Sequence, residues 1–268
     1  MSDASLPEGA IIITGAAGGM GRPAAIRFAR RGQPLILCDV SAERLDALAE
    51  ELRAGGAQVS TLAGDVAAPD FPAQVLELLG DQDIAAMIHT AGLSPTMADG
   101  ERVFEVNYFA TVRLVDAVAP RMASGGCAVL ISSVSAYMIP QPEFAAAANA
   151  VVQGDRDAVA PFLQSPQSAY PLSKLAIIRL VAHEAKRFGT RGARIVSIAP
   201  GYMDTGMGRQ EADANAQMRG LIERVPLGRM GQGDEIAAMA EFLCTPGASY
   251  VSGCDIRVDG GAVGELGL

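Results

Sequence analysis

Apolar residues along this chain cluster in two alternating patterns. Seven short runs, at 10–14, 34–39, 58–62, 84–90, 127–132, 193–199 and 254–258, are mostly hydrophobic or β-branched. Runs of that length without in–out alternation suit strands buried on both faces. Between them lie amphipathic stretches at 19–31, 42–54, 70–79, 100–123, 169–188 and 234–243, and in the second of these Leu45, Leu48, Ala49 and Leu52 recur with the period of one helix face. Strand–helix alternation predicts βαβ units, right-handed crossovers and a parallel sheet. The expected fold class is α/β, a single Rossmann-type doubly wound domain of about seven parallel strands flanked by helices. No change of composition marks a linker and no solenoid-type repeat occurs, so residues 1–268 are expected to form one domain.

Composition narrows the function classes. Half of the 268 residues are hydrophobic and the net charge is −9, with a pI near 4.8. Nucleic acid and anionic membrane need clustered Lys and Arg, so neither is an expected partner. The cysteines Cys38, Cys127, Cys244 and Cys254 form no CxxC pair, and His89 and His183 add no ligand spacing, so no metal is expected. Unpaired cysteines suit a reducing, cytoplasmic compartment. The opening MSDASLPEGA carries two acids and no basic region, so no signal peptide is expected. Residues 123–142 lack charge, but Gly, Pro and Ser punctuate them too often for a membrane span.

Candidate chemistry begins after the first run. In IIITGAAGGMGRPAAIRFA, Gly15, Gly19, Met20 and Gly21 lie between a predicted strand and a predicted helix. Glycines there allow a tight turn and close backbone approach to a pyrophosphate, and the helix N-terminus offers N–H groups and positive dipole. Asp39 follows Gly21 by 18 residues, at the end of the second run. A carboxylate there can accept from the adenosine ribose 2′- and 3′-hydroxyls and repels a 2′-phosphate, which favours NAD over NADP. Read alone, Asp39 also suits a position ahead of a helix cap at Ser41. Arg22 lies inside the helix and points less clearly at the ribose. Further on, Tyr170 and Lys174 are spaced i,i+4, so a helix brings them to one face. Alone, such a pair is commonly just a helix surface.

TGAAGGMG resembles the TGxxxGxG loop of the short-chain dehydrogenase/reductase family, and the likeness runs through nearly the whole chain. Asp65-Val66 resembles that family's pair at the adenine ring, and Ala91-Gly92 the end of its NNAG motif. Asn107 in FEVNYFA resembles its helix asparagine, and Ile131-Ser132-Ser133 its serine strand. Tyr170-Pro171-Leu172-Ser173-Lys174 matches its YxxxK, Pro200-Gly201 with Thr205 its PGxxxT, and Val258-Asp259-Gly260-Gly261 its VDGG. One departure is His89-Thr90, where the family commonly carries two asparagines. A packed or ribose-side imidazole is the reading preferred there over a catalytic one.

The resemblance implies roles. Tyr170 is the acid/base at the substrate oxygen. Lys174 holds the nicotinamide ribose and lowers the Tyr170 pKa. Ser133, rather than Ser132, hydrogen-bonds the substrate oxygen. Asn107 holds a water that links Lys174 to solvent. Pro200 and Gly201 line the nicotinamide and Thr205 meets its carboxamide. The function implied is NAD-dependent interconversion of a secondary alcohol and a ketone on a moderately large apolar substrate, steroid-like, terpenoid or aromatic. A dinucleotide-sensing binding protein on the same fold is the alternative. A sugar-nucleotide epimerase fits poorly, because the glycine spacing and the chain length are those of the shorter branch. A homodimer or homotetramer is implied, formed through helices 100–123 and 169–188.

Two segments depart from uniform family character. Ser133 and Tyr170 stand 37 residues apart, where the family's gap is roughly a dozen, so 138–167 holds an insertion of about two dozen residues. EFAAAANAVVQ reads as a helix and DRDAVAPFLQ as a shorter one with Asp155 near its start. Its Phe144, Val151, Val152, Phe162 and Leu163 suit a lid over an apolar substrate, an assembly contact or a decorated surface loop. Such an insertion resembles that of 3α-hydroxysteroid dehydrogenase/carbonyl reductases. The second segment, 202–225, is the expected substrate loop, with Met203, Met207, Met218 and Leu221 as a wall or as packing on the sheet.

Overall fold

A computed structural model describes residues 5–139, 142–214, 216–265 and 267, but not the side chains at 212 and 214–218, so the Met218 side chain lies outside the described residues. Seven strands form one sheet in the order β3-β2-β1-β4-β5-β6-β7. They are β1 (Ala10–Thr14), β2 (Leu35–Asp39), β3 (Val59–Ala63), β4 (Ile84–His89), β5 (Met122–Ile131), β6 (Arg194–Pro200) and β7 (Asp255–Val258). Every neighbouring pair is parallel. Order reverses between β1 and β4, and ligands of open α/β sheets gather beyond the strand C-termini at such a point.

The helices are α1 (Gly21–Ala29), α2 (Ala42–Ala54), α3 (Phe71–Leu79), α4 (Gly100–Phe104), α5 (Ala110–Val118), α6 (Pro142–Val152), α7 (Pro166–Gly189), α8 (Gly206–Ala214), α9 (Ala216–Glu223), α10 (Gly233–Cys244) and α11 (Ala262–Glu265). α1, α2 and α10 cover one sheet face over Ile11, Ile13, Leu37 and Val129. α3, α5 and α7 cover the other over Ile12, Ile36, Met87 and Leu130, and α6 packs on α7 within the same core. Strands one and four are buried throughout, as their uninterrupted apolar runs require.

Local chemistry moves several boundaries. The predicted helix 100–123 ends at Val118, passes through a 3₁₀ turn at Ala119–Arg121 and becomes strand at Met122. Pro120 lacks the N–H that would continue the helix. Between α4 and α5 the chain makes a π-helical turn, Glu105–Phe109, which holds Asn107. α7 starts at Pro166, earlier than expected, because Ser165 caps it and proline suits the first helical position.

The insertion folds as α6 and a 3₁₀ turn, Asp157–Phe162, with Asp155 accepting the N–H groups of Asp157 and Ala158. Phe144 and Val151 are buried, Val152, Phe162 and Leu163 pack against the same core, and the Phe144 and Phe162 rings lie 4.5 Å apart. Arg156 stacks over Phe109, 3.8 Å from the ring centre.

Candidate active site

Two cavities meet beyond the C-terminal ends of β1, β4, β5 and β6. A central one of about 330 Å³ is bordered by Ser133, Tyr170, Lys174, Pro200 and Gly201. Its neighbour, about 420 Å³, is bordered by Gly15, Gly19, Asp39, Asp65, Val66 and Ala91. Met20, Thr90, Gly92, Leu93, Thr205 and Met207 border both, so the two form one continuous trough.

The glycine loop forms the floor of the second cavity. Gly15 leaves β1 at φ 63°, a left-handed conformation that favours glycine, and its carbonyl accepts the Gly18 N–H at 2.9 Å. A Cβ on Gly19 would stand 2.6 Å from the Thr205 side chain, so this close approach to the segment after β6 requires glycine. α1 begins at Gly21, and no side chain caps its N-terminus. In its first turn the Arg22 N–H already donates to the Gly18 carbonyl at 3.0 Å and Pro23 has no N–H, so it is the Gly21 N–H and the helix dipole that face an anion there. Asp39, 5% exposed, accepts the N–H groups of Ala17 and Ser41, each at 3.0 Å. Arg44, which the sequence reading missed, stands 3.5 Å from the same carboxylate and borders the cavity. An uncapped helix end, a carboxylate at the tip of β2 and a trough joining them fit a dinucleotide.

Asp65 accepts the Ala67 N–H at 2.9 Å and pairs with Arg102. Burial opposes its ionisation, but these two contacts outweigh it and hold the carboxyl below its usual range. Asn107 does not point into either cavity. Its carbonyl oxygen accepts the Leu93 N–H at 2.8 Å, and its amide donates to the Leu93 carbonyl and to Ser173 Oγ. It thereby clamps the loop after β4 to α7.

His89 is 3% exposed. Thr111 gives its hydroxyl hydrogen to the Asn107 carbonyl at 2.8 Å. The His89 Nε2–H must therefore donate to Thr111 Oγ1, at 2.8 Å, which leaves Nδ1 to accept from the Thr14 hydroxyl at 2.7 Å. Burial, helped by the charge of Lys174, draws its pKa down to about 3. The imidazole is a neutral strut between β1, β4 and α5, and it borders neither cavity.

Ser133, Tyr170 and Lys174 converge on the central cavity. Ser133 follows β5 in extended conformation and accepts the Ser135 N–H at 3.2 Å. Ser132 also borders the cavity, but its hydroxyl is committed to Asp255, at 2.6 Å, and to the Ile198 carbonyl. One turn of α7 carries Tyr170 and Lys174. The Lys174 Nζ donates to the Ile131 carbonyl at 2.9 Å and stands 5.7 Å from the Tyr170 ring centre. Burial pushes the Tyr170 phenol up to about 12; a hydrogen bond with Ser133 pulls against the rise and Glu211 adds to it. Burial also draws Lys174 down to about 8. Desolvation dominates the phenol in this arrangement, and the lowering expected from Lys174 does not appear.

Ser135, Tyr202 and Glu211 also border the central cavity and were not singled out in the sequence. Glu211 is one of four acids in 202–225, so nothing local singled it out. Among the described residues no three His, Cys, Asp or Glu side chains gather as a metal site, and no helix is long and apolar enough to cross a membrane.

Known proteins share this arrangement. Residues 9–154 match the family model described as short chain dehydrogenase, and residues 158–263 the one described as Enoyl-(Acyl carrier protein) reductase. The break between them falls in the insertion. A 7alpha-hydroxysteroid dehydrogenase of Escherichia coli (strain K12) is 30% identical over 95% of this chain and 94% of its own. The galactitol 2-dehydrogenase (L-tagatose-forming) of Cereibacter sphaeroides is 31% identical over 93% of this chain and 92% of its own. A 3-oxoacyl-[acyl-carrier protein] reductase from Brucella melitensis, solved with bound NAD, superposes with a TM-score of 0.74 at 26% identity, covering 95% of this chain and 90% of its own. The matches span the glycine loop, the serine strand and the Tyr–Lys helix together, and by them the chain belongs to the short-chain dehydrogenase/reductase family.

Proposed function

We propose that this protein is an NAD-dependent oxidoreductase interconverting a secondary alcohol and a ketone on a moderately large, mainly apolar skeleton, steroid-like, terpenoid or aromatic. The observation that carries the reading is the meeting of Ser133, Tyr170 and Lys174 on the wall of a cavity continuous with the one over the glycine loop. The names of the relatives above describe dehydrogenation of a hydroxysteroid and of a sugar alcohol. Met20, Leu93, Met203, Leu221, Ile222 and Met230 give the central cavity an apolar wall, which favours the first kind of skeleton.

Bound nicotinamide supplies the hydride acceptor or donor. The chain's own part is to manage a proton and a charge at the substrate oxygen. Tyr170 takes the hydroxyl proton during oxidation and returns it during reduction. Ser133, on the same cavity wall as the phenol, steadies the developing alkoxide. Lys174 holds the nicotinamide ribose and brings positive charge beside a phenol that burial keeps protonated. Asn107 orders the water next to Lys174 and, through Leu93, the loop that borders both cavities. Pro200, Gly201 and Thr205 line the nicotinamide, and Ala91 and Gly92 the ribose between the two cavities. Gly15, Gly19, Met20 and Gly21 take the pyrophosphate, Asp65 and Val66 the adenine, and Asp39 the adenosine ribose. Cytoplasmic location and assembly as a homodimer or homotetramer belong to the same reading.

Tyr170→Phe is expected to lower turnover of every accepted alcohol by roughly a thousandfold or more while dinucleotide binding survives; unchanged turnover sinks the reading. NAD binding without oxidation across a broad alcohol panel would favour a sensing role instead. For the cofactor, kcat/KM with NAD⁺ should exceed that with NADP⁺ by at least about tenfold, and Asp39→Ser should narrow the gap, because Arg44 then faces the 2′-position unopposed. A wild-type preference for NADP⁺ would overturn the role given to Asp39.

A further inference from the structure

Three polar side chains on the central cavity lie outside the Ser133–Tyr170–Lys174 group, although the charge of Glu211 bears on the Tyr170 phenol. Ser135 and Tyr202 border the cavity, and each hydroxyl is buried without a hydrogen-bond partner. Glu211, on α8, borders it too. The cavity's other hydroxyls are spent within the protein: Thr90 on the Thr14 carbonyl, Ser132 on Asp255, and Thr205 on the Gly208 N–H. Buried hydroxyls are nearly always bonded. Two orphans bordering one cavity therefore point to a partner that arrives with the ligand.

We infer that the substrate is at least a diol: besides the reacting carbinol it carries a second, neutral hydroxyl, received by Ser135, Tyr202 and Glu211. This rests on the alcohol–ketone reading above and adds to it a substrate class. An alcohol hydroxyl both donates and accepts, so it can give its hydrogen to the Glu211 carboxyl and take one from Ser135 or Tyr202. A carboxylate or phosphate at the same end of the substrate would face the charge of Glu211 across an apolar wall. An ammonium could only donate, and would offer no acceptor to the two orphaned hydroxyls. Burial raises the Glu211 carboxyl above its ordinary range, which further favours a neutral partner over a charged one. The wholly apolar skeleton expected from the methionines thus becomes an apolar skeleton with two hydroxyls.

The test uses a matched pair, a steroid mono-ol and the corresponding diol, in two readouts: kcat/KM with NAD⁺, and calorimetric titration onto the NAD-saturated protein. The diol should be favoured by at least about tenfold in both. That ratio should fall by about tenfold in Tyr202→Phe and again in Ser135→Ala, each of which removes a single oxygen. Tyr250→Phe, at a fully exposed tyrosine, should leave the ratio unmoved. A merely structural role would lower both ligands together and keep the ratio. Equal preference for mono-ol and diol in the wild type, or a ratio insensitive to Tyr202→Phe, Ser135→Ala and Glu211→Gln alike, overturns the inference. No turnover of either alcohol beside a retained calorimetric preference for the diol would sink the proposed activity and leave the second-hydroxyl site standing.

Discussion

The imidazole of His89, locked between Thr14 and Thr111 with a pKa near 3, makes the native protein unable to take up a proton that the unfolded chain accepts near 6.5. A lowered folded-state pKa leaves stability intact above about pH 6.5 and removes it as pH falls toward 3, by at most about 1.4 kcal/mol per pH unit for this one group. Tm measured from pH 7.5 to 5 should therefore fall more steeply for the wild type than for His89→Asn; parallel curves would refute the buried neutral imidazole. The residues of the glycine loop, the serine strand and the Tyr–Lys pair were legible in the sequence because each motif lies within one short segment. Ser135, Tyr202 and Glu211 were not, since each is unremarkable in its own segment and matters only as a border of the cavity shared with Tyr170.

Strands β5, β6 and β7 and the turn after Ser133 are tied by one carboxylate. Asp255 accepts from Ser132 Oγ at 2.6 Å, from Ser197 Oγ at 2.5 Å and from the Tyr137 hydroxyl at 2.6 Å. Ser132 precedes Ser133, and Tyr137 ends the 3₁₀ turn, Val134–Tyr137, that Ser133 caps. Asp255 is thus a positioning residue for Ser133. Asp255→Asn should lower kcat by roughly tenfold or more with a smaller effect on KM, because misplacing an aligned hydroxyl weakens the step more than binding. Tyr137→Phe, which loses one of the three bonds, should be milder. A reduced Tm with unchanged kcat would confine the network to stability. Element order and type followed from the apolar periodicity, whereas the early start of β5 and the π-helical turn at Asn107 did not. The first depends on Pro120 ending a helix. The second serves a side chain that bonds Leu93 and Ser173, a contact the local pattern does not encode.

At the scale of the whole molecule, the insertion is part of the core. Phe144, Ala148 and Val151 of α6 and Val159 beyond it are buried with Leu172 and Ala176 of α7. The Leu163 carbonyl packs so closely on α4 that a Cβ at Gly100 would lie 2.2 Å from it. Of the insertion's described residues, Met138 borders the central cavity. Phe144→Ala should cost about 3 kcal/mol or more, read as a fall in the urea midpoint. Removing 140–165 should prevent folding outright, and a deletion variant that sediments and melts like the intact chain would return the segment to the status of a surface decoration. Sedimentation of the intact protein tests the proposed homodimer or homotetramer, with Arg156 over Phe109 already covering part of the helical face from Gly100 to Val118.

Hydrophobic periodicity and short motifs were enough to predict a doubly wound parallel sheet, a glycine loop after the first strand and a Tyr–Lys helix beside a serine strand. Both kinds of signal are local: a strand's burial and a loop's glycines are written in consecutive residues. The shared cavity border of Ser135, Tyr202 and Glu211, the neutral state of His89 and the inward face of the insertion depend on contacts between segments far apart in the chain. Ser132 meets Asp255 across 123 positions, and Thr14 meets His89 across 75. Burial and hydrogen-bond satisfaction are properties of those meetings, so they became readable only once the chain was folded.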